Sequence, residues 1–337
     1  MPIFGAPVTL DEFKNKMDER AKFYRDETIF ASALRMSEES GNITRAKSWK
    51  DPDGKDMLGV DTYPMTKHGF STFCQKLGIP YMYMQRCPPA LRATNFNFWI
   101  ERKGSKELFV RFDSYPDNQD KIRAVLSDRY ADLPNTELAR LLLEKANKDY
   151  LFEMRYEDHE ALLIGQMVAK SKDFGVDDFD SGIHVRNSEI GLAKLTLEAM
   201  IYSRAHQSGV ILREMAGFSE KHIGEKKEFA KLFGESIDRI MANIPGVIRN
   251  MMDLKNILVS DVPEIIQVVC DTNGVKEAGK EALDRARVTI ETKNLFDVVC
   301  IFMRAATDSE LTLDEREELQ RVGGDVVLKA KRYQRWL

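Results

Sequence analysis

The sequence predicts an α+β fold: an antiparallel twisted sheet with a packed helix, followed by a C-terminal helical region. Three observations predict it. Phe96, Phe98 and Ile100 alternate with Asn97, Trp99 and Glu101 before Lys103-Gly104-Ser105, and Leu108, Val110 and Phe112 alternate with Phe109 and Arg111 after it, as in a β-hairpin. Period-two stretches then recur as far as Met215. After Phe218 the period lengthens to that of a helix, with Phe229, Leu232, Phe233, Ile237 and Ile240 on one stripe. Strands first and helices afterwards argue against an alternating α/β sheet.

Taken in order, Thr9 and Glu12 have the spacing of a capping box and start a helix that runs to about Arg25. Ser37 to Gly59 is polar, rich in Gly and Pro, and carries Arg45, Lys47, Lys50 and Lys55 around Trp49. It reads as a basic loop: a solvated surface, or an arm for phosphates. Thr66 to Leu77 has helical spacing and Gly78 is placed to end it. Ile79 to Tyr83 reads as an extended or turning segment, and Pro89 to Ala93 as one helical turn before the hairpin. Ile122, Ala124 and Leu126 predict a third strand, ending at Ser127-Asp128-Arg129-Tyr130.

Pro134-Asn135-Thr136-Glu137 opens a helix reaching about Lys148, packed on the sheet. Tyr150–Tyr156 and Ala161–Ala169 read as partner strands around a polar turn at Glu157–Glu160. Lys172–Ser181 is an acidic loop, and Ile183–Asn187, Leu195–Tyr202 and His206–Met215 complete the sheet. The helices beyond have breaks at Pro245-Gly246, Pro263, Gly274 and Gly323-Gly324, and Thr312 is a cap. The organisation expected is an N-terminal helix and basic loop over 1–65, a sheet domain over 66–218 and a helical domain over 219–337.

With 43% hydrophobic residues the 337-residue chain can bury a real core. A formal charge of −4 gives no global attraction to nucleic acid or anionic lipid, so any such binding needs a local patch. Cys74, Cys87, Cys270 and Cys300 form no Cys-x-x-Cys pair, which suits reduced thiols in the cytoplasm. No signal peptide is read at Met1–Gly5, and no apolar run approaches the ~20 residues that cross a bilayer.

No Walker loop, dinucleotide fingerprint or Gly-x-Ser-x-Gly elbow is present, so no cofactor is expected. The five histidines are scattered. His159 with Glu157, Asp158 or Glu160 could ligate a metal, but a polar hairpin tip explains them as well, and His184 reads as a hydrogen-bonded structural residue. Asp177-Asp178 lacks the apolar setting that separates the pKa values of an acid/base pair. The stronger signal is basic–aromatic interleaving. Arg102, Lys103, Lys106 and Arg111 accompany Trp99 and Phe109, with Lys121, Arg123 and Arg129 on the next strand. Such a sheet holds a single-stranded backbone and stacks its bases. The opposing account buries Trp99 and Phe109 beneath helices. Lys329 to Trp336 is a second basic–aromatic cluster, either a helix end or a contact arm.

Leu77-Gly78-Ile79-Pro80, Asn95 to Trp99, Val110-Arg111 and Arg123 to Tyr130 occur in an order that resembles the phage/plasmid-like protein family. This is a domain-of-unknown-function group carried by phages and mobile elements. Arg186 to Gly191 is similar to its second block, and Thr292 to Val298 is a looser third match. Where the family often has an Arg-x-x-Cys-x-Asn-Gly segment, this chain has Ser203 to Gly209. The resemblance implies a place in the DNA metabolism of mobile elements.

The function expected is therefore non-enzymatic: a single-stranded-DNA-binding homo-oligomer that aids annealing or recombination in the host cytoplasm. Its contact residues would be Trp99, Lys103, Lys106, Phe109, Arg111, Arg123, Asp128 and Arg129, with Asp128 orienting Arg129. One alternative is a factor that captures a host or phage protein through its helical half. Another is a metal-dependent nuclease using Asp128.

Overall fold

The structure is a computed structural model that describes residues 6–50, 52–114, 119–127, 133–145, 152–159, 162–169, 179–213, 218–220 and 226–333. The chain divides into two compact units, one of Lys16–Asp132 with Glu189–Leu192, the other of Met1–Asn15, Leu133–Ser188 and Ala193–Leu337. The fold class is α+β, with antiparallel sheets, helices and a helical C-terminal region.

In chain order, β1 (Val8–Thr9) leads into α1 (Leu10–Ala21) through the expected reciprocal cap: Thr9 N–H donates to Glu12 Oε2 at 2.8 Å and Glu12 N–H to Thr9 Oγ1 at 3.1 Å. The helix stops at Ala21, and the chain turns into β2 (Tyr24–Phe30), β3 (Leu34–Met36), β4 (Ile43–Lys50) and β5 (Asp56–Tyr63). The Ser37–Gly59 stretch is therefore largely strand, not loop. Beyond Arg45 its β4 residues are exposed on both faces, so no buried alternation marks it in the sequence.

Next come α2 (Lys67–Leu77), α3 (Tyr81–Arg86) and α4 (Pro89–Arg102). Thr66 caps α2, accepting from Gly69 N–H at 2.8 Å, and Gly78 ends it in the left-handed region at φ 75°. The expected strand at Phe96–Ile100 is instead the second half of α4. Phe96 and Ile100 lie four residues apart on the face that also buries Ala93, and Pro89 occupies the first turn. Two strands, β6 (Glu107–Asp113) and β7 (Lys121–Leu126), follow as expected. Their partner is β2, in the order β2-β6-β7, and β3-β4-β5 form a second three-stranded sheet. These elements share one core, in which Phe73 and Phe96 meet edge to face at 4.8 Å.

The other unit takes α5 (Asn135–Lys145), β8 (Phe152–His159), β9 (Leu162–Ala169), β10 (Phe179–Ser188), β11 (Leu195–Ser203), β12 (Ser208–Leu212) and β13 (Phe218–Glu220). With β1 these strands make one antiparallel sheet, ordered β1-β8-β9-β10-β11-β12, with β13 on β11. The single sheet expected over Asn95–Met215 is thus separate sheets, because β6 pairs with the N-terminal β2. Strand β8 continues through Glu157–His159, where a turn was expected.

The helices are α6 (Lys226–Asp253), α7 (Val262–Asn273), α8 (Glu277–Arg287), α9 (Leu295–Ala305), α10 (Leu313–Leu328) and α11 (Ala330–Tyr333). Pro245-Gly246 lies within α6 and Gly323-Gly324 within α10, so neither breaks its helix. Gly324 instead lets α10 approach β12: a Cβ there would overlap the Ile211 carbonyl oxygen. Thr312 caps α10 in a capping box with Glu315, as expected. Among the described residues no helix is long and apolar enough to cross a membrane.

Candidate nucleic-acid interface

The expected contact residues take three kinds of position. Arg111 and Arg123 are buried, at 2% and 3% exposure. Arg111 holds Asp26 through Nε at 3.1 Å and Nη2 at 2.7 Å, and its Nη1 donates to the Glu189 carbonyl. Arg123 donates from Nη1 to Glu189 Oε2 at 3.1 Å. Its guanidinium also lies over the Tyr24 ring. Both arginines converge on Glu189, but in the interior and already paired, so the expectation that they track phosphates is corrected. Their carboxylate partners lie far away in sequence, which is why their burial is not legible there.

Trp99 and Phe109 are half-buried; Trp99 packs against the core of its unit, and Phe109 has the Arg111 guanidinium 5.6 Å from its centroid. Lys103 and Lys106 sit in the turn between α4 and β6, where Lys106 is exposed and donates from Nζ to the Lys76 carbonyl at 2.7 Å. Asp128 and Arg129 lie outside the described residues, as do Tyr130, the acidic 172–178 stretch and the 334–337 end. The side chains of Glu157, Asp158 and His159 also lie outside them.

An accessible basic–aromatic surface lies on the β4–β5 ribbon of the same unit. Ile43 and Tyr63 anchor its base in the core, and the distal residues of both strands are exposed. Side chains alternate between faces, so Arg45, Lys47 and Trp49 share one face with Met57, Gly59 and Asp61. Trp49 is 45% exposed, and its ring lies across Gly59, where an added Cβ would be 2.7 Å from the indole. On the other face Leu58 and Val60 stand 84% and 65% exposed.

Each ribbon cation on these strands has an acid beside it: Arg45 with Glu27 at 2.5 Å, Lys47 with Asp61 at 3.3 Å and Lys50 with Asp56 at 3.8 Å. The exposed Lys47 and Lys50 pairs contribute about 0–1 kcal/mol each, so a phosphate can replace either acid at small cost. Beside the ribbon base, a groove of about 810 Å³ mixes Arg25, Arg45 and Lys47 with Glu27, Asp61 and Asp120.

In the other unit, His184, Arg186, Glu198, Glu317 and Arg321 form a polar network between β10, β11 and α10. His184 Nε2 meets Glu317 Oε1 at 2.5 Å, Arg186 holds Glu317 Oε2, and Arg321 meets Glu198 at 2.6 Å. His184 is the hydrogen-bonded structural residue expected. Burial acts to raise the Glu317 carboxyl, but His184, Arg321 and Arg186 outweigh it and hold the group at about 2. All four cysteines are buried free thiols, and burial pushes Cys74 and Cys300 up to about 12. Among the described residues no group of three or more His, Cys, Asp or Glu is placed to hold a metal ion.

No family model, curated protein or solved structure matches the chain.

Proposed function

We propose that the chain binds single-stranded DNA of a phage or mobile element and, as a homo-oligomer in the host cytoplasm, aids annealing or recombination. The observation that carries this reading is the β4–β5 ribbon, which presents Trp49 to solvent beside Lys47 and Lys50. Indole stacking accepts any base, contributing about 1–3 kcal/mol per base, while the lysines meet the backbone. Lys106, exposed in its turn, remains available to a strand, whereas Arg111 and Arg123 serve the interior. The short motifs that resemble the phage/plasmid-like family support the same setting.

Charge balance shapes the mechanism. With an acid beside each ribbon cation, one subunit offers two or three effective phosphate contacts. The log–log salt slope for single strands is then about −1.4 to −2.1. Repetition of the ribbon around an oligomer raises the effective concentration of a weak site. The exposed Leu58–Val60 face supplies an apolar surface for self-association.

That same apolar face favours a second reading, in which the ribbon captures a host or phage protein. The test is a titration of fluorescent single-stranded oligonucleotide at two salt concentrations, with light scattering on the same sample. Salt-dependent binding by an oligomer supports the first reading. Absence of binding at low salt, with one dominant protein partner recovered from nuclease-treated cells, supports the second.

A further inference from the structure

A pocket of about 390 Å³ lies in the unit that carries the ribbon, between the turn before β4, the segment after β5, and helices α2 and α3. Its volume is at the small end of the range for ligand sites, room for one planar ring and its substituents. Phe70 and Tyr81 form an aromatic corner, with centroids 5.7 Å apart and planes at 64°.

The charge of this pocket differs from that of the ribbon groove. Its described lining holds Lys67 and Arg92 and no Asp or Glu. Lys67 is exposed at the first position of α2. Arg92 sits with its guanidinium 5.6 Å from the Phe70 centroid, held by the carbonyls of Met84 at 3.1 Å and Cys87 at 3.0 Å. Carbonyl partners fix a guanidinium without cancelling its charge, so Arg92 brings its full positive charge to the lining. Gln85 Nε2 donates to the Tyr81 hydroxyl at 2.6 Å, which directs the amide oxygen elsewhere as an acceptor. Asn42 also lines the pocket and offers a second amide.

An aromatic corner, two amides and an acid-free cationic rim call for a planar, hydrogen-bonding ring that carries an anion. From this we infer that the pocket takes one nucleotide, its base against Phe70 and Tyr81 and its phosphate at Lys67. The inference rests on the nucleic-acid reading and names a subsite for it. The chemistry fits a free nucleotide or one within a strand; position favours the strand. Asn42 immediately precedes β4 and Met65 closely follows β5, so the pocket lies at the ribbon's root. A strand stacked on Trp49 and running along the ribbon ends there.

The experiment photocrosslinks a short iodouracil-substituted oligothymidylate to the full chain and maps the modified peptides, with thymidine monophosphate as competitor. Adducts at Tyr81 or Phe70, and binding weakened about tenfold at low salt by Lys67→Glu, are the expected result. Lys67 is exposed, so this substitution leaves the core intact, and Gln85→Ala provides a second mild variant that lowers the crosslinking yield at Tyr81. Adducts confined to Trp49, with Lys67→Glu binding as the wild type does, overturn the pocket while leaving the ribbon reading in place. Saturable binding of the mononucleotide that the oligonucleotide does not displace overturns the strand as its source. No binding of the oligonucleotide by the wild type overturns both the pocket and the ribbon.

Discussion

The guanidinium of Arg123 lies 3.5 Å from the centroid of the Tyr24 ring. Together with the ion pair to Glu189, this contact makes Arg123 an internal support. The Tyr24 hydroxyl is pushed up to about 12, chiefly by burial, and accepts from Arg20 Nε at 2.5 Å. Breaking a buried ion pair is costly, so Arg123→Ala is expected to destabilise its unit by about 3–5 kcal/mol. The double change Arg123→Met with Glu189→Leu removes both charges of that pair and should cost less. Urea unfolding measures both. Oligonucleotide affinity per folded molecule stays unchanged in the double variant; a loss of affinity there would return Arg123 to the interface.

Glu317 carries the clearest pH dependence. Its folded pKa of about 2 lies below the ordinary 4.5, so the carboxylate's contribution is fully present above pH 4.5 and is lost as pH falls towards 2. The difference corresponds to stability on the order of 3 kcal/mol. Glu317→Gln should lower stability at neutral pH and flatten the acid limb of the stability curve. Denaturant midpoints measured across that window check it, and an unchanged acid limb would show that other carboxyls dominate.

Two helical glycines should respond in opposite directions. Gly324→Ala forces α10 away from the Ile211 carbonyl, and overpacking of this kind costs about 1–3 kcal/mol. An alanine Cβ at Gly246 of α6 meets nothing within 4 Å, so Gly246→Ala should stabilise by about 0.5–1 kcal/mol. Thermal melts of the two variants separate these signs.

The apolar ribbon face is expected to hold subunits together. Replacing Leu58 and Val60 by Ser should reduce the mass seen by light scattering while the circular dichroism of the chain is retained. An unchanged mass would place self-association elsewhere.

The sequence announces elements that bury one face. Strands β6 and β7, the Thr9 and Thr312 caps and the Gly78 stop were all readable because local chemistry decides them. Phe96, Phe98 and Ile100 misled because alternation over five residues also contains an i, i+4 pair, and the tertiary core chose the helix. The ribbon was hidden for the opposite reason: with both faces in solvent, β4 and β5 show no periodic burial, although Trp49 among lysines was visible. The pocket combines residues from 40 to 92 whose side chains meet only after folding, and no local pattern marks it.

The most direct measurement of the central claim is tryptophan emission during titration with single-stranded oligonucleotide, comparing wild type with Trp49→Phe. Stacking of bases on the exposed indole predicts strong quenching in the wild type, little in Trp49→Phe, and weaker binding by about 1 kcal/mol in that variant. Equal quenching in both proteins, or full affinity with no quenching in either, would contradict the assignment of the β4–β5 ribbon as the nucleic-acid interface.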